Sequence, residues 1–160
     1  MAQKGEDISL VALGYMVPIA LRAAEIVRAE GISVEVINLR TVVPLDEDAI
    51  QLSVAKTGRL VVSDPAWRSF GVSAEIITRI VERSPKSLKV PAERVTFPDT
   101  HSPTSAALEK YFFPDEEKIA ETLRRVFAHE GTDMWHRREK TSVWWRWVTW
   151  SQLPCGLQKL

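Results

Sequence analysis

Short, nearly continuous apolar runs alternate along this chain with stretches in which apolar residues recur every three or four positions. Ile8–Leu13 (ISLVAL) and Val34–Leu39 (VEVINL) are runs of the first kind, as are residues 60–63 and 94–97. A strand covered on both faces reads this way, because neither side of it can be polar. The intervening stretches carry helical spacing. Pro18 suits a first helical turn, and Ile19, Ala23, Ile26 and Val27 follow until Gly31 stops the run. Asp46 is placed to cap a second helix whose face holds Ile50 and Val54 up to Gly58. Val72, Ile76, Ile77, Ile80 and Val81 make a third, closed by Ser84-Pro85. A short helix is expected over 104–111, and Pro114-Asp115 opens a last one through Phe127 with Ile119, Leu123 and Val126 inward. Residues 64–71 read as an irregular connection.

Connections this short, between strands that alternate with helices, predict an α/β fold: three layers, α/β/α, around a mostly parallel sheet. The pattern accounts for residues 1–130. Beyond it the character changes, since Trp135, Trp144, Trp145, Trp147 and Trp150 fall among Arg137, Arg138, Lys140 and Arg146. Residues 131–160 are therefore read as a separate Trp-rich extension. Two readings of it stay open: a poorly ordered tail, or one whose tryptophans contact a partner groove or a membrane surface.

Composition excludes more than it identifies. Lys and Arg number 21 and Asp and Glu number 21, so no bulk field recruits nucleic acid or an anionic membrane. The lone Cys155 forms no internal disulfide and no multi-cysteine metal site. The polar start, Met1 to Asp7, lacks the apolar core of a secretory signal, and no run approaches the roughly 20 residues of a membrane span. A cytoplasmic protein is expected, or a mitochondrial matrix protein in a eukaryote.

Recognised site signatures are missing: there is no G-x-G-x-x-G, no phosphate loop, no H-E-x-x-H and no G-x-S-x-G. His101, His129 and His136 stand apart from acids or cysteines at ligand spacing, so they read as surface or loop histidines. Gly14 follows the first strand and is read as a tight-turn residue in preference to an anion cradle. Asp64 ends the third strand, where ligands of open α/β sheets gather, yet a turn-capping role beside Pro65 is the favoured reading. Glu75 precedes Arg79 by four residues, which predicts an exposed helical ion pair, with an interface role as the sharper alternative. Arg40 either ends the second strand in solvent or braces the next loop through Asp46 by a forked hydrogen bond. Asp99, in Phe97-Pro98-Asp99-Thr100, reads as a turn residue.

The order of these segments resembles a known family. Asp7-Ile8-Ser9-Leu10-Val11 with Gly14, then Glu35 through Leu39 leading to Arg40-Thr41-Val42-Val43-Pro44-Leu45-Asp46, is similar to the C-terminal domain of the transketolase superfamily. Lys56-Thr57-Gly58-Arg59-Leu60, Gly71-Val72-Ser73-Ala74-Glu75-Ile76, and the prolines Pro98, Pro103 and Pro114 around Asp99 and Tyr111 narrow the likeness. Together they resemble the beta subunit of the decarboxylating component of 2-oxo acid dehydrogenases, from about Gly5 to Phe127. The resemblance implies a thiamine-diphosphate enzyme in which this domain supports assembly. It also implies that thiamine diphosphate and magnesium are held by domains with a Gly-Asp-Gly segment and an aminopyrimidine-binding glutamate, neither of which this sequence contains. No cofactor is thus expected on this domain alone, and no catalytic residue has a position here. The implied partners are an alpha subunit, a second beta subunit and the acyltransferase core, in an oligomer. One departure is plain: the family commonly has His-Glu after the third strand, whereas this chain has Asp64-Pro65.

The rival reading is a stand-alone α/β binding or regulatory module of receiver type, with Asp64 as acceptor. Receivers need an acidic pair after the first strand to hold a metal, and Gly14-Tyr15 stands there instead.

Overall fold

The computed structural model describes residues 1–129. Its elements, in chain order, are β1 (Ile8–Leu13), α1 (Met16–Arg28), β2 (Val34–Leu39), α2 (Glu47–Thr57), β3 (Leu60–Trp67), α3 (Val72–Arg83), β4 (Glu93–Phe97), α4 (Ala106–Phe112) and α5 (Glu116–Ala128). The four strands form one sheet in the order β2-β1-β3-β4, every pair parallel. Ahead of β1, Gln3 bridges Val36 in the antiparallel sense and closes part of the outer edge of β2.

Because side chains alternate across a strand, the apolar runs feed two separate cores. Ile8, Leu10 and Ala12 of β1 join Val34 and Val36 of β2 beneath α1 and α5. Val11 and Leu13 join Ile37 and Leu39 beneath α2 and α3. The expected three-layer α/β/α architecture is what the chain adopts.

On the first face, α1 presents the small residues Ala20, Ala23 and Ala24, and α5 fills the space over them with Ile119, Leu123 and Val126. Ion pairs bind the same helices at their rims: Arg124 reaches Glu30 at 2.7 Å and Arg22 reaches Glu116 at 3.5 Å. On the second face Arg79 of α3 bridges Glu75 at 2.7 Å and Glu47 of α2 at 2.7 Å. Arg83 adds a bond to Asp48 at 2.6 Å. Exposed pairs of this kind are screened by water and add little to stability, so they set helix register more than stability.

A polar network absent from the sequence reading lies within the second face. Glu35 is 1% exposed on β2, and its carboxylate accepts from Ser53 and, at 2.7 Å, from Lys56 of α2. Ser9 of β1 extends the chain of bonds to Ser53 at 2.6 Å and Thr57 at 2.8 Å. Burial by itself raises the pKa of Glu35; the hydrogen bonds from Lys56, Ser53 and the Gly5 amide, with the Lys56 charge, outweigh it and hold the carboxyl below its ordinary range. Gly5 sits so close that a Cβ there would lie 2.2 Å from the backbone of Val34, so the N-terminal segment can lie against β2 only with glycine at this position.

One boundary departs from expectation. β3 was expected to end at residue 63, with 64–71 irregular, but the strand continues to Trp67. Its register with β4 shifts between Ser63 and Trp67. Pro65 lies inside that shift, where a residue without an N–H costs no ladder bond.

Candidate functional site

All four strands point the same way, so the segments leaving β1, β2, β3 and β4 crowd one end of the sheet, the end at which open α/β folds place their functional groups. Gly14, at φ +53°, turns the chain from β1 into α1 and leaves Tyr15 half exposed at this end. Val43 follows β2 and is 89% exposed; Trp67 ends β3 at 57% exposed.

Phe70 is the conspicuous member. Its ring is fully exposed, and its φ of +60° lies in the left-handed region that a bulky residue adopts only under constraint. The constraint is visible on both sides. Ser69 donates its backbone N–H to Asp99 Oδ1 at 2.8 Å and its hydroxyl to Asp99 Oδ2 at 2.7 Å. Arg68 N–H donates to the Phe97 carbonyl at 3.0 Å, and the Trp67 indole N–H to the Thr100 carbonyl at 3.2 Å. Beyond Phe70, Asp64 is buried and accepts the Ser73 N–H at 2.8 Å, which ties the strand end to the first turn of α3. Gly71 passes so near that a Cβ would meet the Trp67 carbonyl at 2.6 Å.

Asp99 is the hub of this clamp. The two bonds from Ser69 lower its pKa first, and the charges of Arg68 and Arg94 add to them, so it is ionised well below neutral pH. Beside it Trp67, Ser69, Phe70, Thr100 and His101 line an open depression of about 420 Å³. Below it, Phe97, Phe112 and Phe113 meet at centroid distances of 5.0–5.3 Å and anchor α4 to the sheet. Asp99→Ala is expected to accelerate amide exchange and proteolysis across residues 68–71 while moving the melting midpoint by only a few degrees. Unchanged exchange there would show that Asp99 does not hold the loop.

The structure thus gathers two of the five candidate residues, Asp64 and Asp99, around one loop. Asp64 is a cap, though its partner is α3 across Pro65 and not the turn itself. Asp99 is more than a turn residue, because it clamps a segment thirty positions earlier in the chain. Asp46 caps α2 by accepting from the Ala49 N–H at 3.1 Å. Glu75 forms the expected pair with Arg79. Arg40 is exposed and, among the described residues, makes no bond to Asp46; the forked brace is replaced by the solvated strand end. Phe70 itself was not anticipated, since no local signal marks a phenylalanine for positive φ. The Trp-rich segment 131–160 lies outside the described residues. No helix among those described is long and apolar enough to cross a membrane.

Comparison with known proteins agrees with this architecture. The family model for the transketolase C-terminal domain matches residues 1–119. The pyruvate dehydrogenase E1 component subunit beta-1 of Oryza sativa subsp. japonica, a mitochondrial protein, is 44% identical over 124 residues, 78% of this chain and 33% of that protein. The E1 component subunit beta of Bacillus subtilis (strain 168) is 42% identical over 124 residues, 78% of this chain and 38% of its own length. Among solved structures, a split gene transketolase described as an inactive beta4 tetramer superposes with a TM-score of 0.63 at 23% identity, covering 78% of this chain and 39% of that one. The chain therefore spans about a third of the length of the curated relatives it matches. With a parallel four-stranded sheet between two helical layers and a family match over most of its length, the chain belongs to the transketolase C-terminal domain family and is similar to the beta subunits of pyruvate dehydrogenase E1.

Proposed function

We propose that this domain is the assembly and subunit-interface unit of a thiamine-diphosphate-dependent 2-oxo acid dehydrogenase beta subunit, without a complete active site of its own. The observation that carries the reading is Phe70, an aromatic ring set in water on a constrained backbone. Such a residue contributes nothing to the stability of the domain that displays it. Docked into a pocket it would be an anchor, and its clamped loop loses little freedom on binding. Tyr15, Val43 and Trp67 at the same end of the sheet supply apolar surface around it.

The surface that meets this end belongs to the remaining two-thirds of a relative's length, or to the alpha subunit and a second beta subunit. Arg40, solvated beyond β2, is placed at the same end for a polar contact at the rim. Asp46, Asp64, Glu75 and Asp99 brace the loops and helices behind it. The acyltransferase core would join through the assembled enzyme, in the cytoplasm or the mitochondrial matrix. The role is one of positioning: a cofactor held between subunits needs both walls fixed.

We assign thiamine diphosphate and its magnesium to other domains of the enzyme. The first turn of α3, where a diphosphate would find N–H donors, already receives the Asp64 carboxylate, which repels an anion. No group of three or more His, Cys, Asp or Glu able to hold a metal occurs among those residues. No reaction step is therefore assigned to this chain. Titration calorimetry of the chain with thiamine diphosphate and magnesium is expected to show no binding in the micromolar range; a micromolar isotherm would overturn the assignment of the cofactor to other domains.

A further inference from the structure

The sheet has two outer edges, and they are treated differently. The N-terminal segment covers β2 with the bridge at Gln3, whereas among the described residues no strand pairs with the outer side of β4. A strand with one neighbour leaves alternate N–H and C=O groups unpaired, a template for a further strand. Here they face a groove of about 330 Å³ between β4 and α5.

The charges along that groove are unbalanced. Arg68, Arg94, Lys118 and Arg125 line it against Glu93 and Glu121. Arg125 is neutralised by Glu93 at 3.1 Å. Arg94 spends one nitrogen on the Arg68 carbonyl at 2.9 Å. Among the described residues, none of Arg68, Arg94 and Lys118 forms an ion pair. Asp99 accepts from Ser69 with both oxygens and acts on Arg68 and Arg94 through its charge.

We propose that the outer edge of β4 accepts an extended acidic segment of a partner protein as an added strand, with its carboxylates over Arg68, Arg94 and Lys118. Main-chain bonds would give the affinity and the cations the choice of partner. A second copy of this chain is the wrong occupant, since pairing β4 with β4 sets the same cations against one another. The inference does not use the exposed Phe70 ring, on which the assembly role rests.

The test uses the full chain and a fluorescein-labelled octapeptide of alternating valine and glutamate, read by anisotropy at low salt and by amide exchange. Saturable binding with new protection across Glu93–Phe97 is expected. Lys118→Glu, at an exposed position outside the Ser69–Asp99 clamp, should weaken it at least tenfold with an unchanged melting curve. Methylating alternate backbone nitrogens of the peptide, which leaves the protein untouched, should abolish it. The proposal is overturned by absent binding, by equal binding of the methylated peptide or of a valine-lysine peptide, or by protection that bypasses β4. Self-association that Lys118→Glu disrupts would name a second copy as the occupant and overturn it equally.

Discussion

Glu35→Ala is expected to lower the melting midpoint of the domain by roughly 10 °C, the largest effect of any single polar substitution. Glu35 is 1% exposed, and its removal leaves the Gly5 amide without this acceptor and Ser53 with only Ser9 as partner inside the layer between β2 and α2. Orphaning buried hydrogen-bond partners costs about 1–3 kcal/mol, and breaking a buried charge pair about 3–5 kcal/mol. Lys56 is 37% exposed and regains water when its partner goes, so the cost falls below the range for a buried charge pair, at about 2–3 kcal/mol. For a domain of this size that corresponds to roughly 4 °C per kcal/mol. Acid supplies an independent check. The folded-state pKa of Glu35 lies below its ordinary value of 4.5, so its contribution is fully present above that pH and is lost as pH falls through the lower folded value. The stability gap between wild type and Glu35→Gln should accordingly narrow on acidification. A gap independent of pH would show that the carboxylate charge contributes nothing.

Leu123→Ala is expected to cost about 2–5 kcal/mol, the range for deleting a large side chain that cannot be refilled. Leu123 is fully buried in a core to which α1 contributes mainly the small residues Ala20, Ala23 and Ala24 beside Met16 and Val27, so little side chain is at hand to refill the space. Phe127, on the same helix but 39% exposed over Arg59, should cost far less when truncated. Chemical denaturation of both variants checks the ranking, and equal losses would contradict the packing described here.

These two predictions also show what could be read in the sequence and what could not. Ile8–Leu13 and Val34–Leu39 announced a sheet buried on both faces because every position along them is apolar apart from a few, and those few were the missed feature. Ser9, Glu35 and the exposed Asn38 interrupt these runs, and Ser53, Lys56 and Thr57 fall on one side of a helix; the meeting of Ser9 and Glu35 with that helix depends on register between elements far apart in the chain. Asp46 was legible because a cap acts within three residues. The clamp of Ser69 by Asp99 was not, since it joins two loops whose proximity follows from β3 and β4 being neighbours. The extension of β3 through Pro65 escaped for a related reason, as a proline at a register shift looks in sequence like the end of a strand. The likeness to 2-oxo acid dehydrogenase beta subunits was carried by the order of Pro44-Leu45-Asp46, Gly71 to Ile76 and the three later prolines, and the family match over residues 1–119 agrees with it.

The assembly role meets its most direct test in sedimentation velocity of the full chain, alone and mixed with a polypeptide carrying the rest of an E1 beta subunit, the part of a relative's length that this chain does not match. A complex is predicted for the wild-type chain and a loss of at least tenfold in its affinity for Phe70→Asp, whose exposed ring adds nothing to folding and whose melting curve should be unchanged. A wild-type chain that sediments as a monomer at high concentration and fails to bind the remaining domains would contradict the account.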